Sequence, residues 1–326
     1  MSAAAPPSGA PLVSVVMPLF NAEAYVGAAV RSVLASELRE LELLVIDDGS
    51  SDGSRAAVAA ISDPRLQLIT LPPSGGPSVP RNTGIGRARA PYVALVDADD
   101  LIRPHKLGAA VGVLDAHPEA GIAFADYERI DAAGSLRTAS VRPEYPVLDA
   151  LPCTALSEEW RLIAQPDFAR GLLYENFIGT SGVVLRRRTL DRVGLFDQTL
   201  TYSEDRDLWF RIAHASAALY QARVGHSYRV LPSSLTYRPG DRQARHRIVA
   251  LRRERGRWPA GRERRQVDRL IAENFYAIGY ERRREGRRGA ATGAFLRAFC
   301  RSPQWRFLRA ALGAAVKPTL RVRPQR

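Results

Sequence analysis

The sequence predicts an α/β fold built on a mostly parallel central sheet and followed by a helical C-terminal extension. Three observations carry this expectation. Strand-length apolar runs alternate with helix-patterned segments through residues 12–125, two of those runs end in clusters of acids, and from Arg242 onward the chain turns helical and arginine-rich. Repeated βαβ units favour a parallel sheet covered on both faces.

Residues 12–18 form the first apolar strand, and residues 24–35 place Tyr25, Ala29 and Val33 on one helical side. A second strand over 41–47 ends in acids and leads into a helix over 52–60. A short third strand spans 66–70, and a fourth over 92–97 again ends in acids. A helix is expected over 101–117, with Pro104 tolerated in its first turn, and then a strand over 121–125. Residues 127–175 are rich in turn formers, including Pro143, Pro146, Pro152 and Pro166, and read as an irregular excursion or an acceptor-side insertion. A strand over 178–185, a helix over 206–215 and a strand over 224–230 follow. The helical remainder is broken at Pro259-Ala260-Gly261, Gly286 and Pro303.

The formal charge of +13 is unevenly placed. Residues 241–326 hold 24 Lys or Arg against 7 Asp or Glu, a net of +17, so the first 240 residues carry −4. Such a tail suits nucleic acid, anionic lipid or an acidic polymer. No zinc-finger or helix-turn-helix pattern accompanies it, so nucleic acid is not the expected partner. Cys153 and Cys300 provide neither a disulfide framework nor metal-ligand spacing, which fits a reducing, cytosolic location. The N-terminus lacks the basic flank and long apolar run of a secretory signal, and no stretch approaches the roughly 20 apolar residues needed to cross a bilayer.

The candidate chemistry lies at strand ends, where open α/β sheets bind ligands. Asp97 and Asp99 are two residues apart, so in extended backbone both carboxylates face one side and can approach one hard divalent ion. Asp99 or Asp100 can equally cap the next helix. The run from Asp47 and Asp48 through Gly49 to Ser54 offers carboxylates for a pyrimidine N–H and glycines for close approach, while Ser51 or Asp52 can cap a helix. Residues 75–84 offer glycines and Arg81 for an anion, or simply a turn and a helix start; they match neither standard phosphate fingerprint. Residues 202–209 set Glu204, Asp205 and Asp207 at a helix start, favourable for the helix dipole and suitable for a general base. Trp209 and Phe210 pack in the core or line an acceptor pocket. No Gly-x-Ser-x-Gly elbow occurs and the five histidines are scattered. Of these, His226, beside Tyr228 and Arg229, is the one placed to contact a diphosphate.

Taken in order, VSVVMPLFN, VIDDGSSDGS, RNTGIG, VALVDADD and GTSGVVLRRRTLDRVGLFDQTL with SEDRDLWFRIA resemble glycosyltransferase family 2 over roughly residues 12–238, the late YRVLPSSLTYR included. The resemblance implies a GT-A fold and an inverting nucleotide-sugar transferase that needs Mg2+ or Mn2+. It assigns Pro18 and Phe20 to the wall of the base pocket, Asp47 and Asp48 to base recognition, and Arg81 to the donor side. Asp97 and Asp99 match the metal-binding acid-x-acid pair, Asp99 being the stronger ligand, and Asp205 matches the general base, with Glu204 ordering the site or binding acceptor. Pro80 replaces a common alanine and Arg206 a common bulky residue.

The implied organisation is a flexible N-terminus (1–11), a catalytic domain (12–240) with a donor part near 12–125 and an acceptor part near 126–240, and a basic helical region (241–326). The partners implied are a nucleoside-diphosphate sugar and a carbohydrate, lipid-linked saccharide or protein acceptor, in cell-surface polysaccharide or glycoconjugate synthesis. The tail adds an anionic membrane surface as a partner, giving peripheral attachment at the inner face of the cell membrane; its exposed helical faces leave a dimer open. The competing reading is a nucleotide-sugar-binding scaffold without turnover, and a nucleotidyltransferase, releasing pyrophosphate, is a further one.

Overall fold

The computed structural model describes residues 10–232 and 240–315. The chain divides into two compact units, residues 1–234 and 235–326.

The first unit is built on a mixed sheet of eleven strands among the described residues, in the order β3-β2-β1-β4-β10-β6-β11-β9-β8, with β5 on β11 and β7 on β6. Strands β1 (Val13–Leu19), β2 (Leu41–Asp47), β3 (Leu66–Thr70) and β4 (Tyr92–Leu95) pair in parallel. Their apolar runs are near-continuous because helices cover both faces. Strand β10 (Val183–Arg186) enters antiparallel between β4 and β6 (Ala120–Ile130), and β11 (Ala217–Arg229) returns parallel to β6. The longest ladders are thus parallel, and the antiparallel pairings are short.

Helices α1 (Glu23–Leu34) and α2 (Ser54–Ala59) cap each other across two loops. Asp52 accepts the Glu23 N–H at 3.1 Å, Ser54 Oγ accepts the Ala22 N–H at 2.8 Å, and Glu23 accepts the Gly53 N–H at 3.0 Å. Orphan amides of both helix starts are satisfied reciprocally. Helix α3 (Ser78–Arg87) lies on β1 so closely that a Cβ at Gly84 would come within 2.4 Å of Val16.

The helix expected over 101–117 begins later. Leu101–Ile102 form β5, antiparallel to β11, and α4 spans Lys106–Ala116. Arg103 precedes Pro104 and is disfavoured from helical backbone, so the chain stays extended long enough to pair. The excursion over 127–175 also holds more structure than its composition suggests. Strand β6 continues to Ile130, followed by β7 (Leu136–Thr138), α5 (Pro146–Ala150), β8 (Thr154–Ala155), β9 (Trp160–Ile163) and α6 (Asp167–Tyr174). Pairing of β7 with β6, of β9 with β11 and of β8 with β9 imposes these short strands. The strand expected over 178–185 is shorter, because Thr180–Gly182 form a 3-10 turn before β10. After it come α7 (Arg187–Val193) and α8 (Glu204–Ala213).

The second unit is four helices: α9 (Arg242–Arg257), α10 (Arg262–Arg284), α11 (Arg288–Arg301) and α12 (Trp305–Ala315). They are separated at the expected Pro-Ala-Gly, Gly and Pro breaks. Phe295 and Phe307 are fully buried beside Tyr276, forming the centre of its small core. Asp268 joins Arg255 at 2.7 Å and Arg301 at 3.0 Å.

Candidate active site

Parallel pairing of β2, β1 and β4 brings the carboxyl ends of three strands to one sheet edge. Phe20 follows β1 there and is 56% exposed, while Pro18 is half-buried within the strand. Asp47 and Asp48 end β2 and are buried. Asp47 accepts the Ser50 N–H at 3.1 Å, and Asp48 accepts the Ser74 N–H at 2.9 Å from the loop after β3. Gly49 between these loops has φ +75°, and a Cβ there would lie 2.5 Å from Pro73, so this turn requires glycine. Asn21, also left-handed at φ 47°, accepts the Ser51 N–H at 2.9 Å and ties the β1 and β2 loops together.

Past β4, the three acids have different surroundings. One oxygen of Asp97 accepts Arg81 Nη2 at 2.7 Å. Asp100 is 1% exposed; Ser181 Oγ donates to it at 2.6 Å and the Arg229 N–H at 2.8 Å. Ser181 Oγ in turn accepts the Asp97 N–H at 3.0 Å, and Arg229 Nε donates to the Asp99 carbonyl at 2.9 Å. Asp100 is therefore a tie between the β4 end, the turn before β10 and β11, and caps no helix. Burial, and then the Asp97 charge, push Asp99 up to about 6. Its carboxylate accepts its own backbone N–H and makes no ion pair with the described residues.

A divalent ion fits that donor set. The Asp99 carboxylate is held by no other side chain among the described residues, and Asp97 keeps the oxygen that Arg81 does not take. Among the described residues no three His, Cys, Asp or Glu side chains are grouped to hold an ion, so its remaining ligands would be diphosphate oxygens and water.

Arg81 links this pair to α8. Its side chain is buried, with Nη1 donating to Glu204 at 2.8 Å and Nη2 to Asp97, and it lies 5.3 Å from the Phe196 ring centre. Pro80 falls in the first turn of α3, where its missing N–H costs nothing, and leaves Arg81 facing inward. Burial and the adjacent Asp205 push Glu204 up to about 7 against the pull of Arg81. Asp205 is half-buried, and one of its oxygens accepts the Arg206 N–H at 2.7 Å. Ser203 before it is left-handed at φ 59°, a conformation a non-glycine residue adopts only at a cost. Asp207 is buried and pairs with Arg211 at 3.0 Å. Trp209 and Phe210 are both fully buried, so both are core. Arg206 donates to the Leu172 carbonyl at 2.8 Å, holding α6 against α8.

His226 does not face the open edge. It is fully buried, stacked on Tyr127 at 4.8 Å, and neither ring nitrogen has a hydrogen-bond partner among the described residues. Burial, then nearby Lys106, hold it well below its ordinary range. A diphosphate contact would need an exposed nitrogen, so that expectation is withdrawn. Sequence reasoning missed the roles of Ser181, Arg229 and Asn21. Only Asn21 left a signal, as a residue tolerant of left-handed backbone directly after an apolar strand.

A parallel β3-β2-β1-β4 sheet, extended by antiparallel β10 and edged by paired acids, is a GT-A arrangement. The chain belongs to glycosyl transferase family 2, whose family model matches residues 14–194. It is 32% identical over 229 residues to the succinoglycan biosynthesis protein ExoO of Rhizobium meliloti, covering 69% of this chain and 63% of that one. An uncharacterized glycosyltransferase of Haemophilus influenzae is 38% identical over 99 residues, 30% of this chain and 40% of its own length. This chain thus spans less than two thirds of these relatives' lengths. Among solved structures, S. aureus TarS 1-349 in complex with UDP superposes with a TM-score of 0.60 at 18% identity, covering 93% of this chain and 87% of that one. The mannosyltransferase PcManGT from Pyrobaculum calidifontis, in complex with GDP-Man and Mn2+, gives 0.59 at 19%, covering 94% and 80%. At such identities the likeness concerns the fold.

Proposed function

We propose that the chain transfers a sugar from a nucleoside-diphosphate sugar to an acceptor hydroxyl with inversion at the anomeric carbon. The observation that carries this reading is the Asp97–Arg81–Glu204 bridge. It fixes the acid pair beyond β4 against the start of α8, one residue from Asp205. Asp205 takes the proton from the acceptor hydroxyl as its oxygen attacks the anomeric carbon. The bond from that carbon to the diphosphate breaks, and the nucleoside diphosphate leaves with the electron pair. Asp99 and Asp97 would hold Mg2+ or Mn2+, which supplies positive charge to the departing diphosphate. Phe20 and Asp48 receive the nucleotide base, and the fully buried Asp47 shapes that pocket by holding the Ser50 N–H. Structures of the same fold with UDP and with GDP-Man support a uridine or guanosine donor, and ExoO supports an acceptor in surface polysaccharide synthesis.

A screen of nucleotide-sugars with saccharide acceptors, read by nucleoside diphosphate release and product NMR, tests the reading. Diphosphate release that depends on acceptor, with inverted anomeric configuration, is the expected result. Retention would remove the inverting mechanism. Binding of nucleotide-sugars with no release across the screen would leave the scaffold reading in its place.

A further inference from the structure

The outward face of α12 combines features that its core contacts do not explain. Phe307, Ala310, Ala311 and Ala314 are buried and seat the helix on the second unit. At 100° per residue, the opposite side carries Trp305, Arg309 and Leu312, with Leu308 on its flank. Trp305 is 70% exposed and Leu312 56%, among the largest apolar exposures of the described residues. In sequence the charge here is of one sign, the last acid being Glu285, and residues 286–326 contain ten Lys or Arg. In space Arg306 pairs with Glu273 of α10, while Arg309 is exposed on the outward face.

We propose that α12 is an interfacial docking helix that sets this face into a bilayer rich in anionic phospholipid. Trp305, Leu308 and Leu312 would enter the boundary between headgroups and acyl chains, while Arg309 and the neighbouring basic residues meet lipid phosphates. An indole suits that boundary because its body is apolar and its N–H polar. The helix has 11 residues, hence a length of about 16 Å, against a hydrocarbon core of about 30 Å. No helix among the described residues is long and apolar enough to span. The helix therefore lies along the surface, held by a few apolar side chains and by charge attraction that salt weakens.

Full-length protein would be sedimented with vesicles of phosphatidylcholine alone, or with about one third phosphatidylglycerol added, at low and high salt. Binding should require the anionic lipid, weaken at high salt, and drop about tenfold or more in a Trp305→Ser/Leu312→Ser variant. Because both side chains are exposed, the variant should keep the wild-type circular dichroism and melting temperature. In wild type, brominated lipid should quench a tryptophan signal that a Trp305→Phe variant lacks. No sedimentation with anionic vesicles at low salt, or equal sedimentation by the serine variant, would overturn the proposal. So would a wild-type dimer that the serine variant converts to monomer, since the face would then belong to a second copy. All readouts are of binding and so are independent of any transfer reaction.

Discussion

Three carboxylates fall within four residues at the start of α8, and their neighbours assign them different work. Glu204 is occupied by Arg81, and Asp207 is buried against Arg211. Asp205 projects from a half-buried position after a left-handed serine. An amide at 205 keeps the size but cannot take a proton, and a placed general base contributes roughly 10²–10⁴-fold. Asp205→Asn should therefore lower turnover by that range with the melting temperature nearly unchanged. Asp207→Asn should do the reverse, costing about 1–3 kcal/mol because buried Asp207 loses its charged pairing with Arg211, while leaving more turnover than Asp205→Asn does. Steady-state transfer assays beside urea unfolding of both variants check the pair. Equal turnover in Asp205→Asn and wild type would remove the base assignment.

At the scale of elements, the junction of α4 with β6 and β11 carries an unusual load. Lys106 is 1% exposed, its Nζ lacks a hydrogen-bond partner among the described residues, and burial brings it down from 10.5 to about 7. In the unfolded chain the amine stays protonated up to its ordinary value. Between about 7 and 10.5 the unfolded state therefore binds more protons, and stability rises with pH. Below about 7 the amine is charged in both states and the penalty is complete. His226 adds to this in acid: its folded value lies well below 6.5, so stability falls as pH drops below 6.5. Lys106→Met should stabilise the protein at neutral pH by several kcal/mol, each pKa unit being about 1.4 kcal/mol. The gain should shrink toward pH 10.5, the ordinary value of the amine. Urea titrations at neutral and alkaline pH measure it, and an unchanged or reduced midpoint for the methionine variant at neutral pH would contradict this account.

The same junction marks where the sequence ceases to be legible. Acids at the ends of β2 and β4, the first turn of α8 and the breaks between α9, α10, α11 and α12 are written in local pattern: apolar runs, acids, glycines and prolines. The burial of His226 and the pairing of Leu101–Ile102 with β11 depend on contacts across more than a hundred residues of chain. The acid cluster after β4 divides in the same way. Nothing local separates Asp99 from Asp100, and Ser181 and Arg229, distant in sequence, turn Asp100 into a structural tie.

Across the whole first unit, the side chains proposed to hold the donor and its metal at the sheet edge come from the ends of β1, β2 and β4 and from α3, spanning Phe20 to Asp99, and Arg81 ties them to Glu204 of α8. A ligand that binds only the folded chain at this edge must therefore stabilise all these elements together. The linkage is RT ln(1 + [L]/Kd), about 2.7 kcal/mol at a hundredfold excess over Kd. For a unit of this size that corresponds to roughly 5–10 °C. UDP or GDP with Mn2+ should raise the melting temperature of the wild type by that order, and removal of Mn2+ by chelation should forfeit most of the shift. Asp99→Asn should melt close to wild type without ligand yet lose the Mn2+-dependent part, because a carboxylate ligand is gone while the Asp100 tie remains. Asp205→Asn should keep the full shift, since its defect lies in proton transfer. Thermal-shift titrations of the three proteins thus separate binding from chemistry. A full Mn2+-dependent shift in Asp99→Asn would remove Asp99 from the metal site, and a lost shift in Asp205→Asn would place Asp205 in donor binding.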